Sequence, residues 1–221
     1  MAGISNYSAS SLLDWLAGVT AMPALGSRYL ALFTTMPADD GTGGVEAAFT
    51  GYARVSVPAG SWGAVSGTGP MQITNTSAVQ FPTCTANPGP EIVGFGFYDA
   101  ATAGNYLGSD WVWAGGTGSQ GAWLPFYCTA ASPGVISAAA SGFANADSVV
   151  VSAKNAGTLP TLSAGSWSGL LTVAGVAGDT FNVGLNTTTS GSGLVRKVVP
   201  QAVVSNMTIN FPAGDLVMLA G

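Results

Sequence analysis

The side chains that most often carry catalysis are few in this chain, and histidine is missing altogether. Without histidine, neither a Ser-His-Asp nor a Cys-His nucleophile arrangement can form, and no histidine metal site is possible. Asp39 and Asp40 are adjacent carboxylates, but neighbouring side chains in a loop rarely converge on one bond, and aspartate favours turns. Cys84 and Cys128 match no metal-ligand spacing; they are either two free buried thiols, which we favour, or one disulfide. We therefore expect no catalytic residue, no metal site and no enzyme activity.

One glycine motif resembles a cofactor-binding fingerprint. Gly116, Gly118 and Gly121 spell G-x-G-x-x-G, which in dinucleotide-binding folds lies directly before a helix whose N-terminus holds the pyrophosphate. Here Trp123 and Pro125 follow closely, and no amphipathic helical pattern begins. The motif therefore predicts a turn or a domain junction, and we expect no cofactor.

Tryptophan offers the remaining chemistry, because exposed indole rings can stack on the faces of sugars. Trp123 and Trp167 lie in or beside predicted turns and strands and are the candidates for a recognition surface. Packing in a core or a subunit interface is the more common use of large aromatic side chains. Packing is therefore the favoured interpretation, and carbohydrate binding is the alternative.

The charge of the chain limits its partners. Five basic and ten acidic residues give a net charge of −5, and charged residues make up 7% of the chain, against a usual share of about 25%. The basic residues are scattered, so no patch could neutralise several phosphates, and we expect no nucleic-acid binding. No span has the pattern of a secretory signal or a transmembrane segment, so we expect no membrane insertion. A surface so poor in charge favours a subunit of an assembly over a free monomer.

Most of the chain alternates short apolar runs with glycine-rich turns, which is the pattern of an antiparallel β protein. The strongest predicted strand is Ile92–Tyr98, in which bulky apolar residues alternate with Gly94 and Gly96. A strand this hydrophobic is expected at the centre of a sheet. Its two glycines are expected beneath a close-packed ring or backbone. Tyr29–Thr34 predicts a second buried strand.

Residues Ser5–Ala17 form the predicted helix. Ser5 or Asn6 can cap its N-terminus, and Gly18 offers a C-terminal stop. Apolar residues recur at helical spacing up to Val19. The candidates for docking or oligomer contacts are Leu12, Trp15 and Leu16. For a single terminal helix, packing of this stripe on its own chain is the favoured interpretation, and docking on a partner is the alternative.

The chain divides into two predicted domains. Residues 1–120 and 198–221 are expected to form an antiparallel β-sandwich, jelly-roll-like, that carries the N-terminal helix. Residues 121–197 contain short strands at close spacing and predict a small inserted β-barrel or sandwich. After a stretch of glycine, serine and threonine, Val198–Val204 predicts a strand that returns to the first sheet. The predicted fold class is therefore all-β.

Five segments, taken in order after a short N-terminal helix, carry a resemblance to a known family. They are Tyr29–Pro37, Gly51–Arg54, Thr74–Pro82, Gly94–Leu107 and Phe211–Val217. Their order resembles that of a family of small bacteriophage proteins usually labelled tail-fibre proteins. In that family the last two segments follow each other closely, whereas here the predicted insert separates them.

The insert itself is similar to small β modules of phage tail proteins, which carry a G-x-x-N-G-D-x-V pattern. In this chain Ala146 replaces the glycine between Asn145 and Asp147. The substitution leaves the conformation of this turn open.

The resemblance implies a virion protein and brings no catalytic residues. We expect a structural component of the particle surface, tail-fibre-like or a capsid decoration, that assembles by oligomerisation and docking. Its expected partners are other virion proteins and further copies of itself, with a trimer as the state suggested by the family. Its expected location is the virion, after assembly in the cytoplasm of the bacterial host. The alternative is a host-receptor or carbohydrate-binding module carried on the virion.

Overall fold

The computed structural model describes residues 3–22, 26–68, 71–86, 88–89, 91–112, 123–154 and 158–220. Its contacts divide the chain into two compact units. The base unit consists of Met1–Gly118 and Gln201–Gly221, and the inserted unit of Ser119–Pro200. Both consist of short antiparallel strands, and an α-helix lies near the N-terminus. The predicted all-β class with an N-terminal helix is confirmed, while the division into two domains at residues 1–120 with 198–221 and 121–197 stays a prediction.

The elements are numbered in chain order. The base unit begins with β1 Gly3–Ile4, α1 Asn6–Leu16, β2 Arg28–Thr35, β3 Val45–Glu46, β4 Val55–Val57, β5 Met71–Thr74, β6 Val79–Gln80, β7 Gly94–Tyr98 and β8 Tyr106–Trp111. The inserted unit contains β9 Leu124–Cys128, β10 Ile136–Ser137, β11 Ser148–Ser152, β12 Leu171–Thr172, β13 Ala174–Ala177, β14 Thr180–Asn182 and β15 Gly191–Val198. The base unit ends with β16 Asn210–Phe211 and β17 Val217–Ala220.

The main sheet of the base unit has six strands. Five run in the order β1-β8-β7-β2-β3, and β4 pairs with β2 outside this path. Strand β7 lies between β8 and β2, the two longest strands of this sheet, with Gly96 opposite Ala31 of β2 and Ser109 of β8. The predicted central position of this strand is confirmed.

One face of the main sheet forms the core of the base unit. Leu30, Leu32, Phe95 and Phe97 are buried there, because alternate residues of β2 and β7 point to the same side. The small sheet of β6 with β16 contributes further residues to this core. A second small sheet pairs β5 with β17. The ring of Phe211 meets that of Phe95 edge-on at 5.2 Å. Each such buried side chain contributes about 1.5–3 kcal/mol to folding, so this layered core accounts for much of the stability.

The opposite face of β7 carries the two glycines. A Cβ on Gly96 would lie 2.7 Å from the ring of Phe33 and 3.0 Å from the carbonyl oxygen of Gly108. A Cβ on Gly94 would overlap the sulfur of Met36. Both glycines therefore make room for side chains that cross the strand, and the predicted close packing above them is confirmed.

Helix α1 begins and ends where its capping residues predict. The Oγ atom of Ser5 accepts a hydrogen bond from the backbone N–H of Ser8 at 3.1 Å, which is the usual N-cap arrangement. Ala17 is the C-terminal cap, and Gly18 follows with a φ of +71°. That left-handed conformation suits glycine and ends the helix.

The inserted unit is one curled sheet of seven strands. Their order is β12-β11-β15-β9-β10-β14-β13. The two edge strands, β12 and β13, are separated along the chain by a single residue, Val173. The sheet must therefore curl until its edges almost meet, which makes it a nearly closed barrel. Its buried core includes Phe126, Ile136, Phe181 and Val195, and the predicted small β-barrel is confirmed.

Strand β15 corrects one prediction. The predicted strand Val198–Val204 is wrong, because the strand lies at Gly191–Val198, where it pairs with β9 and β11. A Cβ on Gly193 would lie 2.6 Å from the side chain of Leu159 and 2.7 Å from the ring of Phe126. The glycine of this stretch is thus needed for close packing within a strand.

Both cysteines are free and buried, Cys84 in the base unit and Cys128 in the inserted unit. The favoured prediction of two free thiols is confirmed. Burial raises the pKa of the Cys128 thiol. A protonated, buried thiol is a packing residue of low reactivity.

Ala146 lies in the turn that leads into β11. Its φ is +71°, the left-handed conformation that glycine adopts most easily. The turn is held by hydrogen bonds from the Ala146 N–H to the carbonyl of Val173 at 2.9 Å and from the Val176 N–H to Oδ1 of Asn145 at 3.1 Å. The turn thus has a conformation that favours glycine, although alanine occupies the position.

Replacing Ala146 by glycine is expected to stabilise the inserted unit by about 0.5–1 kcal/mol. The left-handed conformation costs a residue with a Cβ about 1–2 kcal/mol, whereas the greater freedom of glycine in the unfolded chain costs roughly 0.5–1 kcal/mol. Urea denaturation of the full chain measures the difference. Ala144→Gly, in the same loop but without a positive φ, is the control and is expected to destabilise. A lower denaturation midpoint for Ala146→Gly would contradict the prediction.

Candidate docking surface and polar pocket

The first turn of α1 is fastened to the edge of the main sheet by polar contacts. The Ser5 hydroxyl donates to the carbonyl of Tyr106 at 2.5 Å, and the Ser8 hydroxyl donates to the carbonyl of Leu107 at 2.8 Å. The backbone N–H of Ser5 also donates to Leu107, at 3.0 Å. These bonds hold the start of the helix against β8, and the residues from Leu13 onward are exposed.

Apolar side chains at the end of α1 and just beyond it are open to solvent. Leu13, Trp15, Leu16 and Val19 are 52–72% exposed, and we call these four residues the helix surface. Asp14 is the one charged residue between positions 3 and 22. An exposed apolar patch with so little charge is typical of an interaction site.

The favoured packing of the predicted apolar stripe on its own chain is wrong for most of the stripe. Leu12 is half-buried, but Trp15 and Leu16 are exposed, because the polar contacts fasten only the first turn. Leu13 is absent from the predicted set, although its spacing of three residues from Leu16 could have identified it. That Leu12, Trp15 and Leu16 contact a partner stays a prediction.

A partly buried ion pair fixes the loop between β7 and β8. The Nε atom of Arg54 donates to both carboxylate oxygens of Glu46 at 3.1 Å, and its guanidinium lies 3.5 Å from the centre of the Tyr98 ring. The same guanidinium donates to the carbonyls of Ala100 at 3.1 Å and Ala103 at 2.6 Å. The hydrogen-bond donors of Arg54 are thus directed at groups of its own chain. We call the cluster of Glu46, Arg54 and Tyr98 the lock, because it holds this loop in place.

A polar pocket of about 300 Å³ lies beside this lock, where the start of α1 meets the β2–β3 loop and the β7–β8 loop. The residues that line it include Asn6, Tyr7, Asp39, Asp40, Tyr98 and Asn105. They combine aromatic rings, side-chain amides and carboxylates. Three segments that are distant in sequence thus supply one concave, polar site.

The local hydrogen bonds set the charge of this pocket. Hydrogen bonds from the backbone N–H and hydroxyl of Thr42 lower the pKa of Asp40. The Thr42 N–H lies 2.9 Å from Oδ1 of Asp40, so the predicted turn-forming role of this aspartate is confirmed. Burial raises the pKa of Tyr98, and it raises that of Tyr106 to about 12. At neutral pH the pocket therefore presents negative carboxylate charge next to neutral phenols.

The two tryptophans of the predicted recognition surface make contacts within the inserted unit. The indole N–H of Trp167 donates to the carbonyl of Pro160 at 2.8 Å, and its ring lies 6.4 Å from that of Phe126. The guanidinium of Arg196 lies 4.9 Å from the centre of the Trp123 ring. Both rings are half-buried. A recognition role for Trp123 and Trp167 stays a prediction.

The remaining predictions concern metal sites, the glycine motif and membrane spans, and the described residues cover only some of them. No group of three or more metal-ligating side chains gathers among the described residues. Gly116, Gly118 and Gly121 of the glycine motif lie outside those residues. Within the same residues, no helix has the length and apolar character needed to cross a membrane.

No curated protein matches this chain. A family model described as Podophage GP4 fiber I protein gp80 matches residues 3–130, which is more than half of the 221 residues. The match contains four of the five segments that carry the resemblance to phage tail-fibre proteins, all but Phe211–Val217. The resemblance is therefore confirmed, and the family implies a structural component of the virion. The chain belongs to the Podophage GP4 fiber I protein gp80 family of phage fibre proteins.

Proposed function

We propose that this protein is a fibre-type component of the particle surface that docks on another virion protein through the helix surface. The observation that carries the proposal is the exposure of Trp15, Leu16 and their two apolar neighbours on a helix whose first turn is fixed. Burial of this patch against a partner removes apolar area from water. A tail-fibre-like position and a position as a capsid decoration both provide such a partner.

We further propose that copies of the chain associate, with a trimer as the expected state, in the host cytoplasm before they join the particle. The low charge of the chain supports this. Ile4, which is 58% exposed, adds apolar surface to the base unit. Sedimentation velocity of the purified chain tests the state. A stable monomer that does not bind particles would overturn the assembly role.

The double substitution Trp15→Ser and Leu16→Ser is expected to weaken docking about thirtyfold in Kd. Each side chain is already partly covered, so burying the rest of both contributes about 2 kcal/mol. The measurement is the copy number of the variant in purified particles, after complementation of a phage that lacks the gene. Circular dichroism and thermal unfolding of the free variant check that it still folds.

The matched control is Val65→Ser, which removes an exposed apolar side chain of the base unit that is not one of the four residues of the helix surface. Its incorporation into particles is expected to equal that of the unaltered chain. Normal incorporation of the double variant would contradict docking through the helix surface. Equal losses in both variants would assign the effect to general surface hydrophobicity and contradict it as well.

Host recognition by the inserted unit is the second candidate function. It rests on the partly exposed rings of Trp123 and Trp167 on a rigid barrel. We rank it second because both rings already have partners in their own chain: the indole N–H of Trp167 is bonded to Pro160, and the guanidinium of Arg196 lies over the Trp123 ring. Host-cell binding by the full chain that falls in Trp123→Ala and Trp167→Ala, with particle incorporation unchanged, would support it.

A further inference from the structure

We propose that the polar pocket of the base unit binds an uncharged, hydroxyl-rich ligand, namely one or two residues of a neutral sugar. The pocket is distinct from the helix surface and from the tryptophans of the inserted unit. The inference does not depend on docking through the helix surface.

Several polar groups in the lining are available to a ligand. Within the described residues, the side-chain amide of Asn6 and the hydroxyl of Tyr98 make no hydrogen bond, and Thr42 bonds Oδ1 but not Oδ2 of Asp40. In the adjacent cluster, by contrast, the hydroxyl of Tyr52 and the Nε of Arg54 both donate to the carboxylate of Glu46. The pocket therefore contains polar groups that the described residues leave available to a ligand.

The chemistry of these groups matches that of sugar hydroxyls. A hydroxyl both donates and accepts, and the pocket offers an amide that does both, a phenol that does both and a carboxylate that accepts. Tyr7, which is 38% exposed, adds aromatic surface beside these polar groups. Such surface can pack against the C–H face of a pyranose while the polar groups bond its hydroxyls.

The charge and the volume of the pocket restrict the class of ligand further. The carboxylate of Asp40 lines the pocket, so an anionic sugar would be repelled. The volume of about 300 Å³ lies at the lower end of the roughly 300–1,000 Å³ of ligand pockets, which suits a small ligand. 

The pocket is also preformed. The Asn6 N–H donates to the carbonyl of Asp39 at 2.8 Å, and the Asn105 N–H donates to Oδ1 of Asp99 at 2.6 Å. These bonds fix two of the three contributing segments before a ligand arrives, which lowers the entropic cost of binding.

Saturation-transfer NMR on the full chain tests the assignment. The probes are glucose, galactose, mannose, N-acetylglucosamine and their β-linked disaccharides, with galacturonic acid and N-acetylneuraminic acid as anionic counterparts. At least one neutral sugar is expected to receive saturation and to bind at least tenfold more tightly than either anionic sugar. No transfer to any neutral sugar, or stronger transfer to the anionic ones, would overturn the proposal. So would displacement of a bound neutral sugar by millimolar calcium or methylammonium, because the site would then prefer a cation.

Two conservative variants locate the binding. Asn6→Ala and Tyr98→Phe each remove a group that makes no hydrogen bond within the described residues, so the fold is expected to be retained. Together they are expected to weaken binding more than tenfold. Tyr127→Phe, which removes an exposed hydroxyl of the inserted unit, is the control and is expected to leave it unchanged. Sugar binding that survives the double variant would place the site elsewhere and overturn the assignment.

Discussion

Replacing Gly96 by valine is expected to destabilise the base unit by about 4 kcal/mol, which is the largest effect we predict. A Cβ at this position would lie 2.7 Å from the ring of Phe33, 3.0 Å from the carbonyl oxygen of Gly108 and 3.2 Å from the Cβ of Ser109. The ring could turn aside, but the carbonyl belongs to β8 and cannot move without disturbing the strand pairing. Calorimetry of the full chain should show the transition of the base unit lowered by roughly 8–16 °C.

The control for this substitution is Gly60→Val. A Cβ on Gly60 would meet no atom within 4 Å, and its φ is not in the left-handed region. We expect a change of no more than about 0.5 kcal/mol, as for most surface positions. In addition, Gly96→Ala combined with Phe33→Leu should cost less than the sum of the two single changes, because the ring that meets the new methyl group is gone. Normal stability of Gly96→Val would mean that the glycine face of β7 has another cause.

Replacing Arg54 by methionine is expected to destabilise the base unit by about 3 kcal/mol. The substitution leaves the Glu46 carboxylate without its guanidinium partner, and breaking a buried pair costs about 3–5 kcal/mol. We expect the lower end because the Glu46 side chain keeps 27% of its surface exposed, against 9% for Arg54. The loop carbonyls of Ala100 and Ala103 also lose their donor. Urea denaturation followed by tryptophan fluorescence measures the loss.

Two further variants separate charge from geometry at this lock. Arg54→Lys keeps the positive charge but cannot bond Glu46 with two parallel donors or stack on Tyr98 in the same way, so we expect an intermediate loss. Lys154→Met removes an exposed positive charge and is expected to change stability by less than 0.5 kcal/mol. If Arg54→Lys were as stable as the unaltered chain, charge alone would explain the contact. If Arg54→Met were as stable, the lock itself would be refuted.

The glycines of two strands show which structural features a local sequence pattern can predict and which it cannot. Gly94 and Gly96 alternate with bulky residues in a strong strand, so the sequence predicts both the strand and the close approach above it. Gly191 and Gly193 lie between a run of threonine and serine and the apolar pair Leu194 and Val195, so no alternation with bulky residues marks them as part of a strand. The side chain that crosses Gly193 comes from Leu159, more than thirty residues earlier.

Helix α1 also combines a feature that the sequence predicts with one that it does not predict. Ser5 and Gly18 predict its two ends correctly, because capping depends on atoms within one turn. Which of its residues are buried depends on how the first turn is fixed to β8. That contact exposes Trp15 and Leu16, contrary to the favoured expectation that they pack on their own chain.

The sequence alone is sufficient for the all-β class, the helix and its ends, the central strand and the membership in a phage fibre family. These features follow from periodicity, capping and residue order, which act over a few residues at a time. The tertiary structure alone decides that Glu46, Arg54 and Tyr98 form a lock, and that Asn6, Asp39 and Asn105 share a pocket. Those groups meet because strand pairing brings together residues tens of positions apart, and no local pattern in the sequence records that pairing.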